Sequence, residues 1–190
     1  MNYTNQQFVS RKDLYDAGMS SYKINKLVSE GKLKPINRYY FENLKYDGDI
    51  NEFSVIRAYA SKGIICLTSA AVYHNLSSSR PLQIDVALPR RSRIPNSPEW
   101  PEIKYYLFTD ERYSLGIETI TEDTNQFKIY DVEKTVCDML FYRNKLGFEP
   151  AVEVLKNYIN RSDRNINKLM EYAGKIHCAK LLKDYLEVMI

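Results

Sequence analysis

The sequence predicts an α+β protein with a small N-terminal domain and a larger second domain. Apolar side chains follow helical spacing in residues 1–46 and 131–190, whereas several segments at about 64–130 alternate as strands do. The 190 residues are 44% hydrophobic, which is enough for a packed core. The turn-forming sequence YDGD at 46–49 marks the boundary, so the domains are assigned to residues 1–46 and 47–190.

The net positive charge of the chain lies in its N-terminal segment. Residues 1–45 contain eight Lys and Arg against four Asp and Glu, a balance of +4. The remaining residues contain 19 against 20, which leaves −1, so the net charge of +3 comes wholly from the first quarter of the chain. A basic segment attached to a nearly neutral body indicates a polyanionic partner for that segment.

The first domain is predicted to begin with two short helices. Ser10 is a favourable N-cap, Asp13 completes a capping-box pattern, and Gly18 can end this helix in a left-handed conformation. Ser20 caps the second helix, and Gly31 ends it. Helical spacing puts three apolar residues of the second helix on one buried stripe: Ile24, Leu27 and Val28.

A basic hairpin is predicted after Gly31. The short strands LKPI and RYYFE are joined around Asn37 and Arg38, where asparagine is expected to adopt the positive φ of a tight turn. Helix, turn, helix and hairpin is the order of elements in a winged helix-turn-helix, whose second helix enters a DNA major groove while basic side chains contact phosphates. The simpler alternative is a small helical unit with a solvated, charged face.

The outward-facing polar residues of these elements are the candidate DNA-binding residues. They are Ser20, Ser21, Tyr22, Lys23, Asn25 and Lys26 on the second helix and Lys32, Lys34 and Arg38 on the hairpin. We expect Ser21, Tyr22, Asn25 and Lys26 at base edges, and Lys23, Lys32, Lys34 and Arg38 mainly at phosphates. A second basic patch, formed by Arg90, Arg91 and Arg93, can add phosphate contacts, bind an acidic partner or simply be a solvated loop.

The second domain is predicted to combine a small sheet at about 64–130 with a helical bundle at about 131–190. Asp49 with Glu52 is expected to cap one helix, and Thr68 a second one, TSAAVYHNL. Four segments are typical of strands: LQIDVALP, IKYYLFT, GIETITE and NQFKIYD, with the last two forming a hairpin. Asp131 then caps the first helix of the bundle.

The sequence offers little support for catalysis. It contains no phosphate-binding loop and no GxGxxG, HExxH or GxSxG motif, so we expect no enzyme activity and no cofactor.

Three widely spaced cysteines and two histidines argue against a zinc site or a disulfide framework and favour a reducing cytoplasm. No apolar run is long enough for a membrane helix. Ser69 and His74 lie five residues apart, which aligns them poorly for a catalytic pair.

Two other functions stay open at this point. The first is a magnesium-dependent nuclease, because acidic residues lie on or beside the predicted strands: Asp85, Glu102, Glu118 and Asp123, with Lys104 nearby. The second is a protein-interaction module whose basic N-terminal unit docks on an acidic protein without binding DNA.

Four segments carry a resemblance to a known family. They are SRKDLYDAGMSSYKINKLVSEGKLKPINRYYF, GIICLTSAAVYHNL, LQIDVALPRRSR and FKIYDVEKTVCDML. In this order and spacing they resemble the AbiEi-type antitoxins of type IV toxin–antitoxin systems, although Asn37, Arg38 and Tyr39 stand where many members have Arg-Gly. The resemblance implies a regulator that binds inverted repeats in double-stranded promoter DNA and represses its own operon. It also implies an antitoxin role against a nucleotidyltransferase-like toxin in abortive infection by phage.

Overall fold

The computed structural model describes residues 5–48, 51–79, 81–122 and 125–189. They form an α+β protein that contains a three-stranded and a five-stranded sheet, in agreement with the predicted fold class. Within these ranges, no helix combines the length and apolar character that a membrane span requires.

The N-terminal unit packs two helices against the three-stranded antiparallel sheet, whose order is β1-β3-β2. Its elements are β1 (Phe8–Ser10), α1 (Arg11–Asp16), α2 (Ser21–Ser29), β2 (Leu33–Pro35) and β3 (Tyr40–Asn43). Strand β1, which pairs with β3, was not predicted from the sequence. Each element contributes one buried side chain to the core of the unit: Val9, Leu14, Ile24, Leu33 and Phe41.

The predicted helix caps of this unit are confirmed. The Ser10 side chain accepts a hydrogen bond from the Asp13 backbone N–H at 3.0 Å, and the Asp13 carboxylate accepts one from the Ser10 N–H, which completes the capping box. Ser20 accepts from the Lys23 N–H at 3.3 Å. Gly18 and Gly31 follow the two helices with φ of +79° and +66°.

The expectation for Asn37 was wrong. Outside glycine, the described residues with positive φ are Leu67, Asn75 and His177, so Asn37 does not supply a left-handed turn residue. Its side chain shapes the turn instead, because the amide oxygen accepts hydrogen bonds from the N–H groups of Tyr39 and Tyr40 at 2.9 and 3.0 Å. This side-chain turn replaces the backbone conformation that the sequence suggested.

The five-stranded sheet has the order β6-β5-β4-β8-β7 and mixes parallel with antiparallel pairs. Its strands are β4 (Ile64–Ile65), β5 (Ile84–Pro89), β6 (Ile103–Phe108), β7 (Ile117–Glu122) and β8 (Asn125–Tyr130). Strand β4 is antiparallel to β5 and parallel to β8, β6 runs parallel to β5, and β7 forms the predicted antiparallel hairpin with β8. The sheet therefore occupies the predicted region of the chain.

The helices of the second unit are α3 (Ser54–Tyr59), α4 (Leu67–Tyr73), α5 (Asp110–Ser114), α6 (Val132–Phe141), α7 (Arg143–Leu146), α8 (Phe148–Ile159), α9 (Ile166–Lys175) and α10 (Ala179–Met189). The last five form the predicted bundle. Its first helix has the predicted cap, since Asp131 accepts from the Lys134 N–H at 2.8 Å. Helices α4, α6, α8, α9 and α10 cover one face of the sheet in a single apolar cluster.

Two predicted caps in the second unit need correction. Helix α4 begins at Leu67, so Cys66 and not Thr68 is its N-cap residue. Leu67 takes a positive φ, and the Thr68 N–H donates to the Asp85 carboxylate at 3.2 Å. Helix α3 begins at Ser54 and has Phe53, not Glu52, immediately before it. Asp49, the other half of that predicted cap, lies outside the described residues.

The N-terminal unit contacts the other face of the five-stranded sheet. Side chains of α3 and the strands form a second apolar cluster there, and Phe8 of β1 packs against it. Ser54 of α3 also donates a hydrogen bond to the Gln7 side chain at 3.1 Å. Because Phe8 and Val9 point to opposite faces of their own sheet, helices α1 and α2 lie on the side away from this contact.

Candidate nucleic-acid interface

The outward face of α2 is open to solvent. Only Ile24 among its residues is buried, while Leu27 and Val28 of the predicted stripe are half-buried. The predicted base-contacting residues are all exposed, and the Tyr22 side chain is 80% exposed. The Ser20 cap fixes the start of the helix. The protein thus presents a short, ordered helix whose polar face is not covered by its own sheet.

Several lysines of this unit lie close to carboxylates. Lys26 and Lys32 lie 3.8 and 2.7 Å from the Glu30 carboxylate, and Lys34 lies 3.9 Å from that of Glu42. Exposed pairs of this kind contribute little to stability, because water and salt screen the two charges. A DNA phosphate can therefore replace these carboxylates as the partner of the lysines at a small cost in free energy.

Two other predicted phosphate contacts have a different environment. Within the described ranges, no ion pair involves Lys23 or Arg38. The Arg38 guanidinium lies over its neighbour's ring, 4.5 Å from the Tyr39 centroid. Stacking of this type restricts the side chain without neutralising its charge.

The turn that carries Arg38 is fixed against the second unit. The Asn37 side-chain amide donates a hydrogen bond to the Ala58 carbonyl of α3 at 2.7 Å. Together with the two hydrogen bonds that its oxygen accepts, this contact holds the turn in one position. Arg38 is therefore presented on an ordered turn and not on a free loop.

The second basic patch lies on the five-stranded unit. Arg90, Arg91 and Arg93 are exposed, and the loop borders a cleft of about 470 Å³ that Tyr59 and Lys62 also line. Arg90 is held by its N–H, which donates to the Phe108 carbonyl at 2.7 Å. The cleft adjoins the same end of α3 that the Asn37 turn contacts.

The structure brings two of the candidate nuclease residues together, because Asp85 and Lys104 are partners on the paired strands β5 and β6. Asp85 is buried, accepts the Thr68 N–H, and has its own N–H bound to the Ser69 hydroxyl at 2.9 Å. Burial raises the pKa of the Asp85 carboxyl above its ordinary value. Glu102 and Glu118 are exposed, and Asp123 lies outside the described residues. No group of three or more potential metal ligands from His, Cys, Asp and Glu converges in the described chain.

Ser69 and His74 also have separate partners. The Ser69 hydroxyl accepts the Asp85 N–H, whereas His74 Nε2 lies 2.7 Å from the Tyr130 carbonyl oxygen. Both side chains thus help to attach α4 to the sheet. The three cysteines are buried and not joined by disulfides.

A buried ion-pair network was not predicted. The Asp138 carboxylate accepts hydrogen bonds from Arg112 Nε and Nη2 at 2.9 and 2.6 Å and from the Lys134 ammonium. Asp138 and Lys134 are completely buried, and burial lowers the pKa of Lys134. The Lys134 ammonium also lies 4.1 Å from the ring centroid of Tyr130. This network gives the Asp138 of the segment FKIYDVEKTVCDML a structural role inside the bundle.

Two residues beside the candidate interface, Arg11 and Tyr15, were not predicted from the sequence. Arg11 Nε donates to the Arg38 carbonyl at 3.0 Å, and the Tyr15 hydroxyl lies 3.0 Å from the Ser21 hydroxyl. The first pair is 27 positions apart and the second pair 6 positions apart, so no local sequence motif predicts these contacts. They link α1 to the hairpin turn and to the start of α2.

No protein-family model matches this chain, and no curated protein matches its sequence.

Proposed function

We propose that this protein is a DNA-binding transcriptional regulator. In this proposal α1 and α2 are a helix-turn-helix, and β2 with β3 is its wing. The observation that carries the proposal is the exposed face of α2 in the part of the chain that holds the whole excess of positive charge. An ordered helix with exposed amide, hydroxyl and cationic groups has the chemistry that reads base edges and phosphates.

The positions of the charges suggest which residues contact bases and which contact phosphates. Asn25 and Lys26, with Ser21 and Tyr22, would contact base edges, and the cations at the edges of the surface would contact phosphates. Lys23 and Arg38 have no competing ion pair among the described residues, whereas Lys32 and Lys34 would exchange carboxylates for phosphates. The patch of Arg90, Arg91 and Arg93 could extend the phosphate contacts beyond this unit.

The biological role is proposed from the resemblance to AbiEi-type antitoxins. We infer that the protein represses its own operon at promoter inverted repeats and counteracts a nucleotidyltransferase-like toxin. In this role it needs no cofactor and catalyses no reaction. Co-expression with the product of an adjacent nucleotidyltransferase-like gene tests it: relief of growth arrest supports the antitoxin role, and unrelieved arrest contradicts it while leaving DNA binding to be judged separately.

A gel-shift assay tests the DNA-binding proposal. The full chain is titrated against duplex DNA from upstream of its own coding sequence and against a scrambled duplex of the same composition, at physiological salt. Preferential retardation of the upstream duplex is the expected result. The absence of any shift by folded protein would support the protein-interaction alternative, and Mg²⁺-dependent cleavage that Asp85→Ala abolishes would support the nuclease alternative.

A further inference from the structure

Two arginines are anchored on the turn between β2 and β3. The Arg11 side chain donates from Nε to the Arg38 carbonyl, and its backbone N–H donates to the Tyr39 carbonyl at 2.6 Å. The Arg11 guanidinium also lies 4.9 Å from the ring centroid of Phe41. The Arg38 guanidinium is held over Tyr39. Both cations therefore belong to one ordered surface, even though Arg11 comes from the start of α1.

The nearby acids are engaged elsewhere. The Asp13 carboxylate accepts from the Ser10 N–H and hydroxyl in the capping box, and the Asp16 carboxylate lies 3.9 Å from the Lys12 ammonium. In the described ranges no carboxylate forms an ion pair with Arg11 or Arg38. Two arginines, one on the turn and one hydrogen-bonded to it, without a carboxylate partner are an arrangement that an anion stabilises.

A hydroxyl group extends this surface towards α2. The Tyr15 hydroxyl is hydrogen-bonded to Ser21, the first residue of α2. The hydrogen bond with Ser21 and, after it, the nearby Arg11 side chain lower the pKa of the Tyr15 hydroxyl. Tyr15 thus lies between the Arg11 side chain and the start of α2. The side chains of Arg11, Tyr15 and Arg38 are named here the phosphate clamp.

We propose that the phosphate clamp binds the backbone of duplex DNA between the hairpin turn and the start of α2, with Arg11 and Arg38 on neighbouring phosphates. The inference rests on the proposed function and adds Arg11 and Tyr15 to its contacts. Arg11 uses Nε to hold the turn, which leaves its two terminal nitrogens to donate to phosphate oxygens. Arg38 adds a second charged fork, and the Tyr15 hydroxyl adds a neutral donor. The same chemistry could accept free inorganic phosphate, so the experiment separates the two sources.

The salt dependence of DNA affinity provides the first test. Arg11→Gln is compared with Lys12→Gln, a matched control on the same helix whose side chain is 86% exposed and adjacent to Asp16. Each lost phosphate contact flattens the slope of log affinity against log salt by about 0.9. Between 50 and 200 mM salt, the affinity of Arg11→Gln should therefore fall about 3.5-fold less than that of the wild type. Lys12→Gln should retain the wild-type slope.

A neutral phosphate then separates direct contact from positioning of the turn. Single methylphosphonate substitutions are placed along the upstream duplex, and affinity is measured for the wild type, Arg11→Gln and Tyr15→Phe. At one position, the substitution should weaken wild-type binding but have little further effect on Arg11→Gln. If every position weakens both proteins equally, Arg11 only positions the turn and the inference is wrong.

Three further results would contradict the clamp or the proposed function. Competition by inorganic phosphate, beyond that of chloride at matched ionic strength, would show that the site takes free phosphate and would contradict a clamp built for the duplex. Absence of wild-type DNA binding would overturn the proposed function itself. Normal wild-type binding with unchanged slopes for both glutamine variants would overturn the clamp alone.

Discussion

Asp138 provides the sharpest prediction about what holds the second unit together. Its carboxylate is the shared counter-ion of Arg112 and Lys134, and its side chain is completely buried. Asp138→Asn preserves the size of the side chain but removes the charge, so the two cations stay buried without their counter-ion. Loss of one partner from a buried ion pair typically costs about 3–5 kcal/mol.

Two features of the structure place the expected cost at the lower end of that range. Lys134 lies over the Tyr130 ring, and the Arg112 guanidinium lies 3.8 Å from the Phe141 centroid, so aromatic faces still stabilise both cations. Burial already lowers the pKa of Lys134, so it can also lose its proton. We therefore expect a loss of about 3 kcal/mol, or about 6–12 °C in Tm for a chain of this size.

Urea denaturation at pH 7 measures this loss, with Asp163→Asn as the control. Asp163 is paired with Arg161 at 2.8 Å, but its side chain is 65% exposed, so its neutralisation should leave the urea midpoint close to that of the wild type. If Asp138→Asn unfolds at the same urea concentration as Asp163→Asn, the three charges do not form the network in the folded protein.

The remaining predictions concern the interface and one buried acid. Asn25→Ala should reduce discrimination between the upstream duplex and single-base variants by about 1–3 kcal/mol in competition assays; uniform weakening on all duplexes would assign Asn25 to the backbone. Lys34→Ala combined with Arg38→Ala should weaken binding to all duplexes and flatten the salt slope by about two, and an unchanged slope would exclude both contacts. A carboxyl whose folded pKa is raised reduces stability above its unfolded pKa, so Asp85→Asn should be more stable than the wild type at pH 7. This advantage should disappear as the pH falls towards about 4, and a constant or growing advantage would refute the assignment.

Local features of the fold could be predicted because neighbouring residues determine them. Ser10, Ser20 and Asp131 cap their helices as expected, since each satisfies a backbone N–H only three residues away. The apolar spacing also located the sheet and the bundle. Caps and apolar spacing each depend on residues within one helix or strand, so the local sequence is enough to predict them.

Contacts between distant elements could not be predicted in this way. Asn37 has a turn-forming local pattern, but its conformation is linked to the Ala58 carbonyl, 21 residues away. Lys134 and Asp138 have the spacing that is typical of an exposed ion pair on a helix. Their burial depends on Arg112, which comes from a different helix, so the local pattern does not predict it. Arg11 was missed for the same reason, because its partner turn lies 27 residues further along the chain.

The most direct test of the central proposal is the salt dependence of binding to upstream DNA. Fluorescence anisotropy of a labelled duplex is measured with the full chain between 50 and 200 mM salt. Four phosphate contacts, from Lys23, Lys32, Lys34 and Arg38, predict a log–log slope of about −3.6 per chain, or about −4.5 if Arg11 adds a fifth, with tighter binding to the upstream than to the scrambled duplex. Folded protein that binds both duplexes equally, or neither at physiological salt, would contradict the proposal that α2 reads DNA.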